Sequence, residues 1–184
     1  MKTKYLVALF IIVAIVQLTV PAQMIWQRES ILKTGKAFKF KTQPVDPSDP
    51  FKGKYIYLNY ELNSFISNEE TWKRGQDIFV SITKDSLGFA KATAIAKQAP
   101  QHQTYVKAKV DWSVKKNERV NFTLPFNEFY MEESKAYNAE VAHRNAQQDS
   151  LPNNTYALVY VKEGEAVLDN VFINETPIAV FVEQ

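Results

Sequence analysis

Sixteen consecutive residues, Tyr5–Val20, are apolar apart from Gln17 and Thr19, with Lys2 and Lys4 ahead of them. No water-soluble fold leaves such a run unaccounted for, and two readings compete. As a signal peptide it would use Leu6–Val16 as its core and Val20-Pro21-Ala22 as the cleavage triplet. As a retained anchor it runs on through Pro21 to Trp26. The 22 residues from Tyr5 to Trp26 make about 33 Å of helix, close to the hydrocarbon thickness of a bilayer. Tyr5 and Trp26 then fall at the two interfaces, where amphipathic rings concentrate. The anchor is the better reading, because Met24, Ile25 and Trp26 extend the apolar character and Ile31 and Leu32 recur beyond them. Residues 23–33 read as one continuing amphipathic helix, ended by Gly35 or nearby. Pro21 is tolerated in a membrane helix. More bases follow the segment than precede it, yet the leading tail is only four residues, and long following domains translocate largely regardless of charge. We therefore expect a single-pass protein with a cytoplasmic amino terminus and its carboxy-terminal domain outside the cytoplasm. The expected division is 1–35, a membrane anchor with a juxtamembrane extension, and 36–184, a β-rich extracytoplasmic domain.

The charge is unevenly spread. Residues 1–34 hold four bases and one acid, leaving 18 bases against 19 acids in the remainder. A balanced body argues against nucleic acid, whose binding draws on release of counterions from many phosphates. From Arg28 to Lys54 there are seven bases and three acids, either a solvated face or a surface drawn to anionic lipid heads. With 46% apolar residues the chain is neither disordered nor collagenous. It has no cysteine, so disulfides, zinc ribbons, iron–sulfur clusters and thiol catalysis are excluded.

The body reads as strands. Phe38-Lys39-Phe40-Lys41 alternates with period two. Three prolines in 44–50 make a stiff, extended connection whose Asp46 and Asp49 can accept from nearby backbone amides. Gly53–Leu62 is the clearest strand: Ile56, Leu58, Tyr60 and Leu62 point one way, Tyr55, Tyr57, Asn59 and Glu61 the other. Since both faces carry rings, one should meet the core and the other the helix leaving the membrane. Further strands are expected at 77–84, 89–97, 104–112 (Trp112 facing with Val106 and Val110) and 119–124. Between Phe126 and Gln148 the period changes to that of a helix of three or four turns. Strands return at 156–161, 166–173 and 178–182, with a hairpin turn at Glu163-Gly164. The expected fold is mainly β (α+β): one amino-terminal transmembrane helix, then an antiparallel β barrel or sandwich with one inserted helix.

The string Gly53-Lys54-Tyr55-Ile56-Tyr57-Leu58-Asn59-Tyr60 resembles the signature of the bacterial GDYXXLXY family, matching at Gly53, Tyr55, Leu58 and Tyr60, with Lys54 in place of the acid. Supporting features are the anchor ending Pro21-Ala22-Gln23-Met24-Ile25, the pair Arg28-Glu29, and the approach Val45-Asp46-Pro47-Ser48-Asp49-Pro50-Phe51. So are Phe129-Tyr130-Met131-Glu132-Glu133 and the closing Asn174-Glu175-Thr176-Pro177. The resemblance implies a single-pass, membrane-anchored protein with no established activity, neighboured by multi-pass membrane proteins.

Candidate chemistry is sparse. Asp46 and Asp49 could ligate a hard cation, but two ligands are too few for a cage and turn capping explains them. Glu132, Glu133 and Glu140 suit a helix face as well as an acid/base pair. Tyr55, Tyr57, Tyr60 and Trp72 could form a platform for a sugar or peptide, or simply pack. An anchor followed by a β domain resembles signal peptidases in plan, but no serine stands in their Ser-Met-x-Pro-like setting, and Gly-x-Ser-x-Gly and a phosphate loop are both missing. His102 and His143 are too far apart for an H-E-x-x-H metal site. The expectation is a non-catalytic interaction module of the bacterial envelope, needing no cofactor or metal. Its partners would be the lipid bilayer and a multi-pass membrane protein, and its motif and interaction residues Asp46, Asp49, Gly53, Tyr55, Tyr57, Leu58, Tyr60 and Glu133. The alternative is an envelope hydrolase or ligand binder using Asp46, Asp49, Glu61 or Glu133, which requires at least two of those acids to meet in a cleft.

Overall fold

The computed structural model describes residues 2–43, 55–67, 71–112, 114–115, 118–148 and 155–183. The chain opens with α1 (Lys2–Thr34), then β1 (Lys36–Gln43), β2 (Tyr55–Tyr57), β3 (Asn59–Tyr60), β4 (Ser64–Ile66) and β5 (Thr71–Trp72). Next come β6 (Asp77–Lys84), β7 (Ala90–Ala96), β8 (Tyr105–Val110), β9 (Val114–Lys115), β10 (Arg119–Thr123) and β11 (Glu128–Tyr130). Helix α2 (Glu133–Gln148), β12 (Thr155–Lys162), β13 (Glu165–Ile173), β14 (Thr176–Pro177) and α3 (Ile178–Phe181) complete it.

Two five-stranded antiparallel sheets, ordered β14-β13-β12-β1-β3 and β4-β10-β8-β6-β7, form the body. They touch through parallel bridges at Lys39–Phe89 and Val106–Gly164, so the sheets curl into a nearly closed barrel. The alternation in Phe38-Lys39-Phe40-Lys41 does what its period requires: Phe38 and Phe40 enter the barrel while Lys41 faces water. Val80, Val106, Val159 and Val171 are fully buried beside them.

Helix α1 is unbroken through Pro21 and about 50 Å long. Proline supplies no amide to bond the carbonyl of Gln17, yet the helix continues; two residues before it, the Thr19 hydroxyl bonds back to Val16 O at 2.7 Å, hiding its own polarity. The apolar part is bare: Leu6, Phe10 and Trp26 are 66%, 73% and 76% exposed. Only the last turn is built into the barrel. Ile31 is buried, and Lys162 Nζ on β12 donates to Thr34 Oγ1 at 2.8 Å and Ser30 Oγ at 3.3 Å. Gly35 makes this junction possible. A Cβ there would lie 2.5 Å from Ile31 O and 3.2 Å from Val161 O, all backbone that cannot swing aside. Gly35→Ala is therefore expected to destabilise the chain by about 1–3 kcal/mol through overpacking, seen as a lower urea midpoint. An unchanged midpoint would show that helix and barrel are not locked here.

The structure revises several expected elements. The motif strand is two short pieces with different neighbours: β2 pairs with β11 (Ile56 opposite Phe129), whereas β3 pairs with β1 (Tyr60 opposite Thr42). Leu58 lies at the switch, its amide donating to Asn127 O at 2.7 Å. The segment expected to be helical from Phe126 starts as strand β11, and the helix proper begins at Glu133. Ile178–Phe181 is a short helix rather than a strand, because Ile178 fills the core while Val180 and Phe181 remain exposed. Nor does the outward tyrosine face of β2 meet the long apolar helix: α1 packs on β12 and β13, and β2 lies against β11 and α2.

Candidate functional site

The described part of the motif runs from the two-stranded β2–β11 ladder through the switch at Leu58 into β3, and Leu58 and Tyr60 point inward. Leu58 and Tyr60 are buried, and the Tyr60 hydroxyl donates to Phe126 O at 2.7 Å. Phe40, Tyr60 and Phe126 form a ring cluster with centroids 4.9–5.8 Å apart. Burial raises the Tyr60 phenol far above its ordinary pKa, so it stays protonated as a donor. Tyr55 is half-buried, its ring 5.4 Å from that of Tyr130. Among the x positions, Ile56 is buried, but Tyr57 and Asn59 face outward. Leu58 and Tyr60 thus hold the strand switch, while Tyr57 and Asn59 meet solvent.

The ladder separates two concavities. On one side, a groove of about 890 Å³ runs beside the end of α1, lined by Arg28, Lys107, Asn127, Glu128, Tyr130 and Asp169 among others. Its charges are mostly matched: Lys107 pairs with Glu165, Lys109 with Asp77, and the Tyr130 hydroxyl donates to Glu128 at 2.6 Å. On the other side lies a smaller cavity of about 270 Å³ with Tyr57 and Asn59 in its wall. Asn127 borders both, its side-chain amide donating to the Tyr57 hydroxyl at 3.1 Å.

Of the expected site residues, Asp46, Asp49 and Gly53 lie outside the described residues. Glu133 opens α2. Glu61 sits on the surface in an ion pair with Lys41 at 2.9 Å. Among the described residues no group of three His, Asp or Glu could hold a metal. Tyr60 and Trp72, weighed above as platform rings, are both in the core.

Sequence reasoning missed two polar clusters. His143 is buried in α2 on the stripe Ala139-His143-Ala146, its Nε2 3.2 Å from Thr42 Oγ1, which is itself 2.9 Å from Thr155 Oγ1. Burial brings the imidazole down to about 4. The native state therefore refuses a proton that the unfolded chain accepts below about pH 6.5. Stability should fall as pH drops from about 6.5 to about 4, by a total on the order of 3 kcal/mol. Urea unfolding at pH 7 and pH 4.5 checks this against His143→Gln, which should lose that part of the slope; equal slopes would contradict it. The second cluster joins Lys39, Tyr156 and Glu175. Glu175 accepts from Tyr156 at 2.7 Å and Lys39 at 2.9 Å, which holds its carboxyl below the usual range. Glu175 belongs to the Asn174-Glu175 turn, where both residues have positive φ (49° and 67°), so the chain accepts strain there while its side chain clasps β1 to β12. The alternation of Lys39 with buried phenylalanines marked it as outward-facing; its distant partner was invisible.

No curated protein and no solved structure matches the chain. A family model described as GDYXXLXY protein matches residues 17–171, from inside the apolar helix to the penultimate strand of the first sheet, with Tyr55, Leu58 and Tyr60 in the positions just described. By that match over most of its length, the chain belongs to the GDYXXLXY family.

Proposed function

We propose that the protein is a membrane-anchored, non-catalytic interaction module of the bacterial cell envelope. In this reading α1 crosses the bilayer, the short amino end stays in the cytoplasm, and the barrel stands outside it. One observation carries the reading. The segment of mean hydropathy 2.4 in α1 is wholly unburied, while the last turn of the same unbroken helix is fixed into the barrel. Length and composition alone would also admit a signal sequence near the amino terminus. Burial of Ile31 and the Lys162 bonds favour retention, because they make the helix part of the folded body. The β2–β11 ladder, with Tyr55, Tyr57 and Tyr130, and the groove beside α1 then lie where a multi-pass membrane partner could reach them.

The cysteine-free chain allows a direct test of orientation. Leu87 is 74% exposed at a turn remote from the groove, so Leu87→Cys supplies a unique thiol. A membrane-impermeant maleimide should label it in intact spheroplasts. Labelling only after lysis would place the barrel in the cytoplasm and contradict the reading.

A further inference from the structure

The small cavity beside the motif has a composition that the membrane reading does not call for. Its wall carries four asparagines (Asn59, Asn63, Asn121, Asn127), Asp111, Thr123 and the rings of Tyr57 and Trp112, and, among the described residues, no Lys, Arg or His. Trp112 was expected to face the core at the end of a strand. It lies instead just beyond β8 and is 59% exposed, with the Arg74 guanidinium 5.1 Å from its ring centre. A large ring left in solvent while a cation braces it is a surface prepared for contact. Around it, Asp111 accepts from the Thr123 hydroxyl at 2.7 Å, and Asn127 is engaged with Tyr57. The side chains of Asn59, Asn63 and Asn121 make no hydrogen bond to protein among the described residues. Each therefore offers a donor and an acceptor to whatever enters.

We propose that this cavity is a binding site for a neutral saccharide, one sugar ring deep. Each sugar hydroxyl both donates and accepts, as each carboxamide does, and the apolar face of a pyranose suits an exposed indole. Among the described lining residues there is no cation, and the Asp111 carboxylate stands among them, which disfavours a phosphate or carboxylate as the recognised group. At about 270 Å³ the space falls below the roughly 300 Å³ where sites for drug-sized ligands begin, which selects a single ring over a peptide. Strand β10 delivers Asn121 and Thr123, the motif strand delivers Tyr57 and Asn59, and the end of β8 delivers Asp111 and Trp112. Folding of the barrel thus assembles the site. The inference stands independently of how α1 meets the membrane.

The test is saturation-transfer difference NMR on the full chain in a zwitterionic, non-glycosidic detergent, titrated with D-glucose and N-acetyl-D-glucosamine. A ligand of about a dozen heavy atoms should saturate in the millimolar range. Trp112→Ala and Asn63→Ala alter exposed side chains and should each weaken binding about tenfold, whereas Trp112→Phe should keep most of it. Inorganic phosphate should not compete. Absence of a saturable response to either sugar, an undiminished response in Trp112→Ala, or displacement by phosphate would each overturn the assignment.

Discussion

Arginine at both Ile12 and Ile15 is expected to remove the protein from the membrane fraction. The two positions lie near the middle of the apolar segment and are exposed in α1, where they touch nothing of the barrel. A central arginine costs about 2.5–3.5 kcal/mol on the insertion scale, so the pair costs about 5–7 kcal/mol, enough to defeat insertion of a single helix. The barrel itself should fold as before, because the body begins to engage α1 only near Ser30 and Ile31. Fractionation of cells expressing the double variant, with partition into alkaline carbonate, measures the effect. Undiminished recovery in the carbonate pellet would mean that something other than α1 holds the chain to the bilayer.

Phe40→Ala is expected to be the most damaging single truncation in the barrel. The side chain is fully buried, meets Tyr60 and Phe126 edge-on, and lies on the strand that joins β12 to the motif. Loss of a buried phenylalanine costs about 3–5 kcal/mol, and here it also removes the ring that packs edge-on against Tyr60 and Phe126. At about 2–4 °C per kcal/mol for a chain of this size, the melting temperature should fall by roughly 6–20 °C. Lys41→Ala, one position along and facing water, should change stability by no more than about 0.5 kcal/mol. If both variants melted alike, the ring cluster would not be the keystone of the barrel.

Local pattern revealed what local forces decide. Period-two alternation located β1, β6, β8, β12 and β13, because one face of each meets the core. Continuous apolarity located α1, because nothing in the barrel covers it. The Glu163-Gly164 turn was legible for the same reason: both residues take positive φ (51° and 84°), and Gly164 also lies against the Tyr105 ring, where no Cβ fits. What failed depended on distant partners. Residues 55–60 look like one strand, and only the pairing of β2 with β11 and of β3 with β1 divides it. The three-residue strand at Glu128–Tyr130 exists only because β2 lies beside it, so its rings read as the start of α2. The run Ile178–Val182 is too short for periodicity to separate strand from helix. Near the candidate site, Leu58 and Tyr60 of the motif serve packing. The asparagines that line the cavity come from two strands and two loops, Asn59 on β3, Asn121 on β10, and Asn63 and Asn127 between strands, and no spacing within one segment announces them. The role of His143 was hidden because its partner Thr42 lies on β1, and Thr42 in turn bonds Thr155 on β12.

The central claim is that α1 stays joined to the barrel it enters. Amino-terminal sequencing of the mature chain, purified from carbonate-washed membranes, tests it most directly. The account predicts an uncleaved amino terminus ahead of Tyr5 on a protein that only detergent releases. A chain that begins at Gln23 and is recovered in the aqueous supernatant would contradict it.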